Sequence, residues 1–348
     1  MIEHPSPSIG VWFPAIRTGT GTDVFTLQLC NGLNAKGIRA EITWLPHRTE
    51  YLPWFTRIPA TPSWATIAHL NTWIHKRFIP DSIPTLATMH LCVHDPALSP
   101  YKKKTQSLYH QHWIRPIEET LLRRVQKVVA VSHYTAKITQ EQFQLNNIIP
   151  VIHNGITIPA SVVRPARDPS QPFRLLYVGN WSKRKGVDLL ADIMQALGSG
   201  FELHYTADAH GAHQSASLPA NCKCIGRLDH ENLRQAYCSA HALIFPSRLE
   251  GLPLTVIEAM SNRLPVIGAN TSSLPELITN KVTGILFPQD DVAKAVKAVR
   301  TLESDFNLSQ VIGLNSRNKV ISDFSLEAMV NAYVKIYENI ALGLSDVQ

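Results

Sequence analysis

Residues 9–45 read IGVWFPAIRTGTGTDVFTLQLCNGLNAKGIRAEITWL. If they alternate strand, helix and strand, the protein is built on a parallel sheet. IGVWFPA (9–15) is a short apolar run of the kind a buried strand needs, and RTGTGTD (17–23) follows as a glycine-bearing loop. Phe25, Leu29 and Leu33 then recur every four residues, which lines one face of a helix. Thr22 or Asp23 can cap the start of that helix, and Gly37 suits the position just past its end. IRAEITWL (38–45) returns to a strand pattern. The result is a βαβ unit, whose crossover makes its two strands parallel. The loop lacks a full G-x-G-x-x-G, because Val24 or Phe25 stands where the last glycine would be, and no redox cofactor is indicated. Gly19 and Gly21 are instead read as allowing close approach of a donor phosphate or an acceptor.

The same alternation continues outward. WATIAHL (64–70), TLATMHL (85–91), VVAVS (128–132) and IIPVIHNG (148–155) are further strand candidates. VVRPARDPSQP, within 157–172, reads as a linker, after which the pattern restarts. FRLLYVG (173–179) is a strand, SKRKG (182–186) a basic loop and GVDLLADIMQALG (186–198) a helix. FELHYTA, KCIGR, HALIFPS, LPVIGAN and GILFP are strands, with ENLRQAYCSA and DDVAKAVKAVRTLE as helices between them. Two βαβ arrays in tandem imply an α/β protein of two doubly wound domains facing across a cleft. We expect boundaries at 1–160 and 161–324, with a C-terminal helix in 325–348 that crosses back to the first domain and carries Met329, Tyr333 and Tyr337 at four-residue spacing.

FPSRLEGLPLTVIEAM (245–260) carries the chemistry. Gly251 and Pro253 break any continuous helix, and proline favours the first helical position, so a helix is expected to begin near Pro253. Glu250 then lies in the loop and Glu258 on the second turn. Both border a helix N-terminus, whose N–H groups and dipole favour an anion. Two carboxylates would repel a phosphate at contact range, so their partners are hydroxyls of the same ligand. A ligand with both phosphates and many hydroxyls is a nucleotide sugar. Lys183, Arg184 and Lys185, between a strand and a helix, suit the phosphates. The competing reading, solvated charges on loop and helix, explains each residue alone but not their combination.

Composition narrows the class. The chain has 348 residues, 45% hydrophobic and 17% charged, enough for two domains with cores. Five cysteines without metal-ligand spacing suggest a reduced, cytoplasmic protein, and MIEHPSPSIGVWF shows no signal-peptide pattern. No metal or other cofactor is expected, since no D-x-D is present to hold a divalent ion on a diphosphate. The net charge of +6 arises wholly before residue 156, where 15 Lys/Arg face 9 Asp/Glu. Trp54, Trp64, Trp73 and Trp113 lie among these basic residues. The pairing fits peripheral contact with the anionic inner face of a cytoplasmic membrane or an amphipathic acceptor; the bland alternative is core tryptophans with solvated cations. No nucleic-acid motif accompanies the charge.

With these motifs in place, the sequence resembles the family 4 retaining glycosyltransferases of the GT-B, two-Rossmann-domain type. FPSRLEGLPLTVIEAM resembles the E-x7-E element, YVGNWSKRKGVDLL the phosphate loop, and RLPVIGANTSSLPELITNKVTGILF the segment closing the donor pocket, with Glu276 matching. AVSHYT, VIHNG and TLATMH are similar to first-domain elements. The resemblance implies that Glu258 accepts hydrogen bonds from ribose hydroxyls and that Glu250 contacts the transferred sugar. It implies that Lys185 and the amides near Leu254 and Thr255 hold the diphosphate, with Gly179 and Gly251 shaping the pocket. The arginine usual after the first loop glycine is Asn180 here, so Arg184 is expected to supply the second cation. His90 is the acceptor-side histidine, with His94 and Asp95 as alternatives for that role. The implied activity is metal-independent, retaining transfer of a hexose-type sugar from a nucleotide-diphosphate donor to a hydroxyl of a glycan or lipid-linked acceptor. The rivals are a nucleotide-sugar-processing enzyme that needs no alcohol acceptor and a non-catalytic nucleotide-sugar-binding scaffold.

Overall fold

The computed structural model describes residues 9–207 and 218–343. The opening segment read for a signal, residues 1–8, lies outside them. The chain divides into two compact units: one runs to Gly155 and takes back the chain from Leu326 onward, and the other spans Ile156–Ser325.

The first unit is a five-stranded, wholly parallel sheet. Strand β1 (Gly10–Ile16) leads through α1 (Gly21–Ala35) to β2 (Arg39–Leu45), and β1 pairs with β2 in register from Gly10↔Arg39 to Ile16↔Leu45. β3 (Ile67–Asn71) and β4 (Thr85–Met89) follow, then α2 (Lys104–Tyr109), α3 (Arg115–Arg124), β5 (Lys127–Ala130) and α4 (His133–Phe143). The strand order is β2-β1-β3-β4-β5, so the chain reverses its direction of growth between β1 and β3. Phe25, Leu29 and Leu33 are buried, as the four-residue spacing requires. The cap differs from expectation: Thr20 is the N-cap and makes no side-chain capping bond. Asp23 instead turns back and accepts from the Thr18 amide at 3.0 Å and the Gly19 amide at 2.7 Å, closing the loop on itself. IIPVIHNG forms only an isolated bridge, Ala130↔Val151, because Pro150 removes a donor from the ladder.

The C-terminal helix Leu326–Ala341 belongs to this unit and buries Met329, Val330, Tyr333 and Tyr337 against Phe25, Leu29 and Leu33. Polar groups inside that contact are matched. His69 Nδ1 meets the Tyr337 hydroxyl and Nε2 the Thr88 hydroxyl, both at 2.7 Å, and Thr88 meets the Tyr333 hydroxyl at 3.0 Å. Burial lowers the His69 pKa to about 3, with His90 adding to the shift.

The second unit is a six-stranded parallel sheet. Its elements are β6 (Phe173–Tyr177), α5 (Leu190–Leu197), β7 (Phe201–Tyr205), β8 (Cys222–Cys224), α6 (His230–Ser239), β9 (Ala242–Phe245), α7 (Leu254–Ser261), β10 (Val266–Ala269), α8 (Leu274–Leu277), β11 (Ile285–Phe287), α9 (Val292–Ser304) and α10 (Phe306–Asp323). The order β11-β10-β9-β6-β7-β8 puts the reversal between β6 and β9. In open α/β sheets, ligands bind beyond the carboxyl ends of the strands at such a reversal. The segments leaving β6 and β9 are SKRKG and SRLEGLP. No described helix in either unit is long and apolar enough to cross a membrane.

Candidate active site

The basic loop after β6 closes through a single 3-10 turn at Lys183–Lys185 and exits at Gly186. Gly186 has φ +70, and a Cβ there would stand 2.1 Å from the carbonyl oxygen of Pro246. Only glycine lets the two loops approach this closely. Their backbones then bond, the Arg248 amide donating to the Arg184 carbonyl at 2.8 Å.

This contact brings Glu250 to the cations. Lys185 Nζ donates to Glu250 Oε1 at 2.6 Å, and Arg184 Nη1 stands 3.4 Å from the same oxygen. Ser247 Oγ donates to that oxygen as well. The Glu250 amide donates to Ser272 Oγ at 3.0 Å, and Ser273 Oγ donates to the Glu250 carbonyl at 3.2 Å. Burial would raise the Glu250 pKa, but Lys185 and Arg184 outweigh it and hold the carboxylate below its usual range. Burial lowers the Lys185 pKa, opposed by Glu250. Lys185 also lies 5.4 Å over the Phe245 ring. A buried charge pair of this kind is costly to break, about 3–5 kcal/mol when one partner is removed.

Pro253 sits at the N-cap of α7, one position before the first helical residue where the sequence suggested it. With φ −75 and ψ 113 it holds extended backbone, and its carbonyl accepts the Val256 amide at 3.1 Å. Leu254 and Thr255 supply the first two helical amides, which by position have no intrahelical acceptor. Glu258 falls on the second turn and accepts from the Tyr237 hydroxyl at 3.0 Å. Burial raises the Glu258 pKa, while Tyr237 and His230 lower it.

Gly179 and Asn180 lie at the exit of β6. The Gly179 amide donates to Thr206 Oγ1 at 3.2 Å, and the Asn180 carbonyl accepts from the Tyr177 hydroxyl at 3.0 Å. A Cβ at Gly179 would come within 3.1 Å of the Tyr177 hydroxyl oxygen and 4.0 Å of Lys185 Cδ. Asn180 and Lys183 are exposed, and Gly251 is buried in the turn before α7. Lys185, Arg184 and Glu250 are thus in contact and Gly179 lies beside them, while Asn180, Lys183, Gly251, Leu254, Thr255 and Glu258 lie on the same two segments that leave β6 and β9 at the reversal.

Two residues escaped the sequence reading. Arg248, 7% exposed, donates to Asp188 at 2.7 and 2.9 Å, to Asp290 at 2.6 Å and to the Lys183 carbonyl. It clamps the basic turn to the loop that carries Glu250. Tyr237 sets one oxygen of Glu258. Arg248 stands inside the quoted stretch, but its carboxylate partners are 60 and 42 positions away, so no local spacing could reveal the clamp.

In the first unit, Gly19 has φ +72 and open space where a Cβ would stand, and Gly21 is the first residue of α1. His90 follows β4, with its ring 4.6 Å from and edge-on to Phe25. Its Nε2 is buried without a hydrogen-bond partner among the described residues, and burial lowers its pKa to about 4. The alternative pair is otherwise engaged. His94 Nε2 bonds Glu118 at 3.0 Å, while Asp95 accepts from the Ala97 amide at 2.8 Å and from the Tyr134 hydroxyl.

Two doubly wound units, one with cations and carboxylates at its sheet reversal, fit the architecture of the GT-B class. Residues 19–158 match the family model Glycosyltransferase Family 4, residues 163–319 match Glycosyl transferases group 1, and the chain belongs to family 4 of the glycosyltransferases. It is 25% identical over 237 residues to an uncharacterised 41.2 kDa protein in the cps region of Klebsiella pneumoniae, an alignment covering 64% of each chain. It is 24% identical over 330 residues to a glycogen synthase of Mycobacterium tuberculosis, covering 88% of this chain and 72% of that one. The fold matches that of HepE from Anabaena in complex with UDP-glucose, with a TM-score of 0.71 at 15% identity over 94% of this chain and 99% of the other.

Proposed function

We propose that the protein transfers a hexose-type sugar, with retention and without a metal, from a nucleotide diphosphate donor to a hydroxyl of a glycan or lipid-linked acceptor. The observation that carries this reading is the Lys185–Glu250–Arg184 cluster at the sheet reversal of the second unit. Breaking the anomeric bond puts charge on the departing diphosphate, and preorganised cations and amides stabilise it. Lys185 and Arg184, with the Leu254 and Thr255 amides, are the groups assigned to that charge. Lys183, Asn180, Gly179 and Gly251 border it, and Glu258, oriented by Tyr237, takes the ribose hydroxyls. Glu250 contacts the transferred sugar. When the diphosphate arrives, Lys185 shares its remaining N–H bonds with the phosphate oxygens while its charge still balances Glu250.

In the transfer step the acceptor oxygen bonds the anomeric carbon and the bond from that carbon to the phosphate oxygen breaks. The acceptor proton passes to the departing phosphate oxygen. In the first unit, Gly19 and Gly21 are assigned close approach to the ligand. His90, neutral above about pH 4, offers an uncharged ring nitrogen on the acceptor side. The glycogen synthase likeness favours a glycan acceptor, and the HepE likeness makes UDP-glucose the first donor to test. We place the protein in the cytoplasm, with its first unit at the anionic inner face of the membrane.

A screen of UDP-, GDP-, ADP- and dTDP-sugars by thermal shift and hydrolysis, with and without EDTA, tests the reading, because a ligand of the folded state raises the melting temperature. One donor should give a shift that EDTA leaves unchanged and that Glu258→Ala and Lys185→Ala each abolish while still folded. Wild-type behaviour in both variants would overturn the site. Turnover that needs no alcohol acceptor would favour the processing enzyme, and binding without product under any acceptor the scaffold.

A further inference from the structure

The first unit contains an open pocket of about 430 Å³ that the donor chemistry does not use. This lies within the roughly 300–1,000 Å³ of small-molecule sites. Its walls come from the loop after β4, the start of α3 and the end of α4, and from a π-helical turn at His110–Ile114. Such π turns are costly and concentrate at functional sites.

The polar groups on the wall are unevenly satisfied. Asp95 has both carboxylate oxygens engaged, by the Ala97 amide and the Tyr134 hydroxyl. Arg115 donates to Glu119 at 3.0 Å and to the Gln142 carbonyl at 2.6 Å. Lys102 Nζ donates to the Val93 carbonyl, which uses one of its three protons. His110 lines the pocket at 5% exposure, and its Nδ1 has no hydrogen-bond partner among the described residues. A buried ring nitrogen without a partner costs free energy, and a rotation of the His110 ring that turns Nδ1 toward the pocket would let a ligand recover it. Burial, with Lys102 and His94 nearby, lowers the His110 pKa to about 4, so the ring is neutral and can donate from Nδ1 as one tautomer. Its histidines aside, the wall carries two cationic side chains, Lys102 and Arg115, against one carboxylate, Asp95, that is already bonded.

We infer that this pocket binds an anionic saccharide, a sugar unit bearing a carboxylate or a phosphate, with the anion on Lys102 and His110. Naming the ligand a saccharide rests on the glycosyltransferase reading; the anionic character rests on the wall alone. An anion gains charge-assisted bonds from Lys102 that a neutral sugar does not.

Saturation-transfer NMR on the full chain, without nucleotide, tests this with glucuronate, glucose 6-phosphate and glucose as probes. The expected result is signal from one or both anionic sugars, little from glucose, and at least a fivefold loss in Lys102→Met and in His110→Asn. Signal confined to glucuronate identifies a carboxylate site and signal confined to glucose 6-phosphate a phosphate site; either supports the inference. If His110→Asn does not fold, Lys102→Met decides alone. Equal signal from glucose and the charged sugars, or undiminished signal in Lys102→Met, overturns the inference, as does no signal from any probe. The donor thermal shift, measured in parallel on Lys102→Met, should remain wild-type, so failure of the donor reading would be seen separately.

Discussion

Glu258 carries opposing influences on one carboxyl group. Burial pushes its pKa up, and the hydrogen bond from Tyr237 pulls it down. If Glu258 takes the ribose hydroxyls as proposed, only its ionised form accepts from both at full strength, so affinity for the nucleotide should fall as pH falls through the raised pKa. Tyr237→Phe removes the opposing pull and moves that fall to higher pH. The variant should bind the nucleoside diphosphate found in the donor screen about tenfold more weakly at pH 6, with a smaller deficit at pH 8, consistent with a hydrogen bond to a charged group being worth about 1.5–3 kcal/mol. Calorimetric titration at the two pH values checks this. A deficit independent of pH would mean that the Tyr237 hydroxyl orients Glu258 without tuning its protonation. Glu258 and Glu250 were legible in sequence because a glycine–proline turn between two glutamates is a local pattern. Tyr237 was not, since nothing local links it to a glutamate 21 positions on.

At the scale of elements, the 3-10 turns His47–Glu50 and Pro53–Phe55 carry the most exposed aromatic side chains of the basic first half. Their base is fixed: the Tyr109 hydroxyl donates to Glu50 Oε1 at 2.9 Å and the Trp113 indole to the Glu50 carbonyl at 2.8 Å. On it Leu52, Trp54 and Phe55 stand 50%, 60% and 76% exposed, an arrangement unfavourable in water. Arg48 and Arg57 flank them in sequence. Exposed aromatics beside cations suit the interface of an anionic bilayer. The chain should sediment with vesicles containing about a third phosphatidylglycerol and not with neutral ones. The double variant Trp54→Ala, Phe55→Ala should lose at least tenfold of that binding with its melting temperature unchanged. Retained binding would sink the assignment. The sequence could not separate this patch from core tryptophans: Trp73, in the same compositional class, turns inward and donates to buried Glu118 at 3.1 Å. Composition is blind to which way a ring faces. The strands were legible for the opposite reason, because β1, β4 and β9 are buried along their whole length and read as continuous apolar runs. The π turn at 110–114 left no trace in the residue pattern, being a matter of hydrogen-bond register alone.

For the molecule as a whole, chain order and spatial order part at Leu326, where the last helix returns to the first unit. Three tyrosine- and methionine-bearing turns of that helix complete a core begun some 300 residues earlier; its periodicity and its return to the first domain were both expected from the sequence, while the polar groups it meets there were not. The destination is fixed by His69, whose two ring nitrogens need the Tyr337 and Thr88 hydroxyls. This network makes the first unit acid-sensitive. The His69 pKa is lowered to about 3 in the fold and lies near 6.5 in the unfolded chain, so between those values the unfolded state binds the extra proton. Stability is therefore fully present above about pH 6.5 and declines as pH falls toward 3, by up to about 1.4 kcal/mol per pH unit for this one group. Tyr337→Phe leaves His69 Nδ1 buried without its partner and should cost about 1–3 kcal/mol at pH 7. Cutting the chain after Ser325 removes the helix and opens the core it covers. Scanning calorimetry of the truncated chain should then show the transition of the second unit alone, since its core from Phe173 to Ile312 draws nothing from the helix. Two transitions surviving truncation would show that the first unit folds without its last helix, and that the His69 network decorates a core already complete.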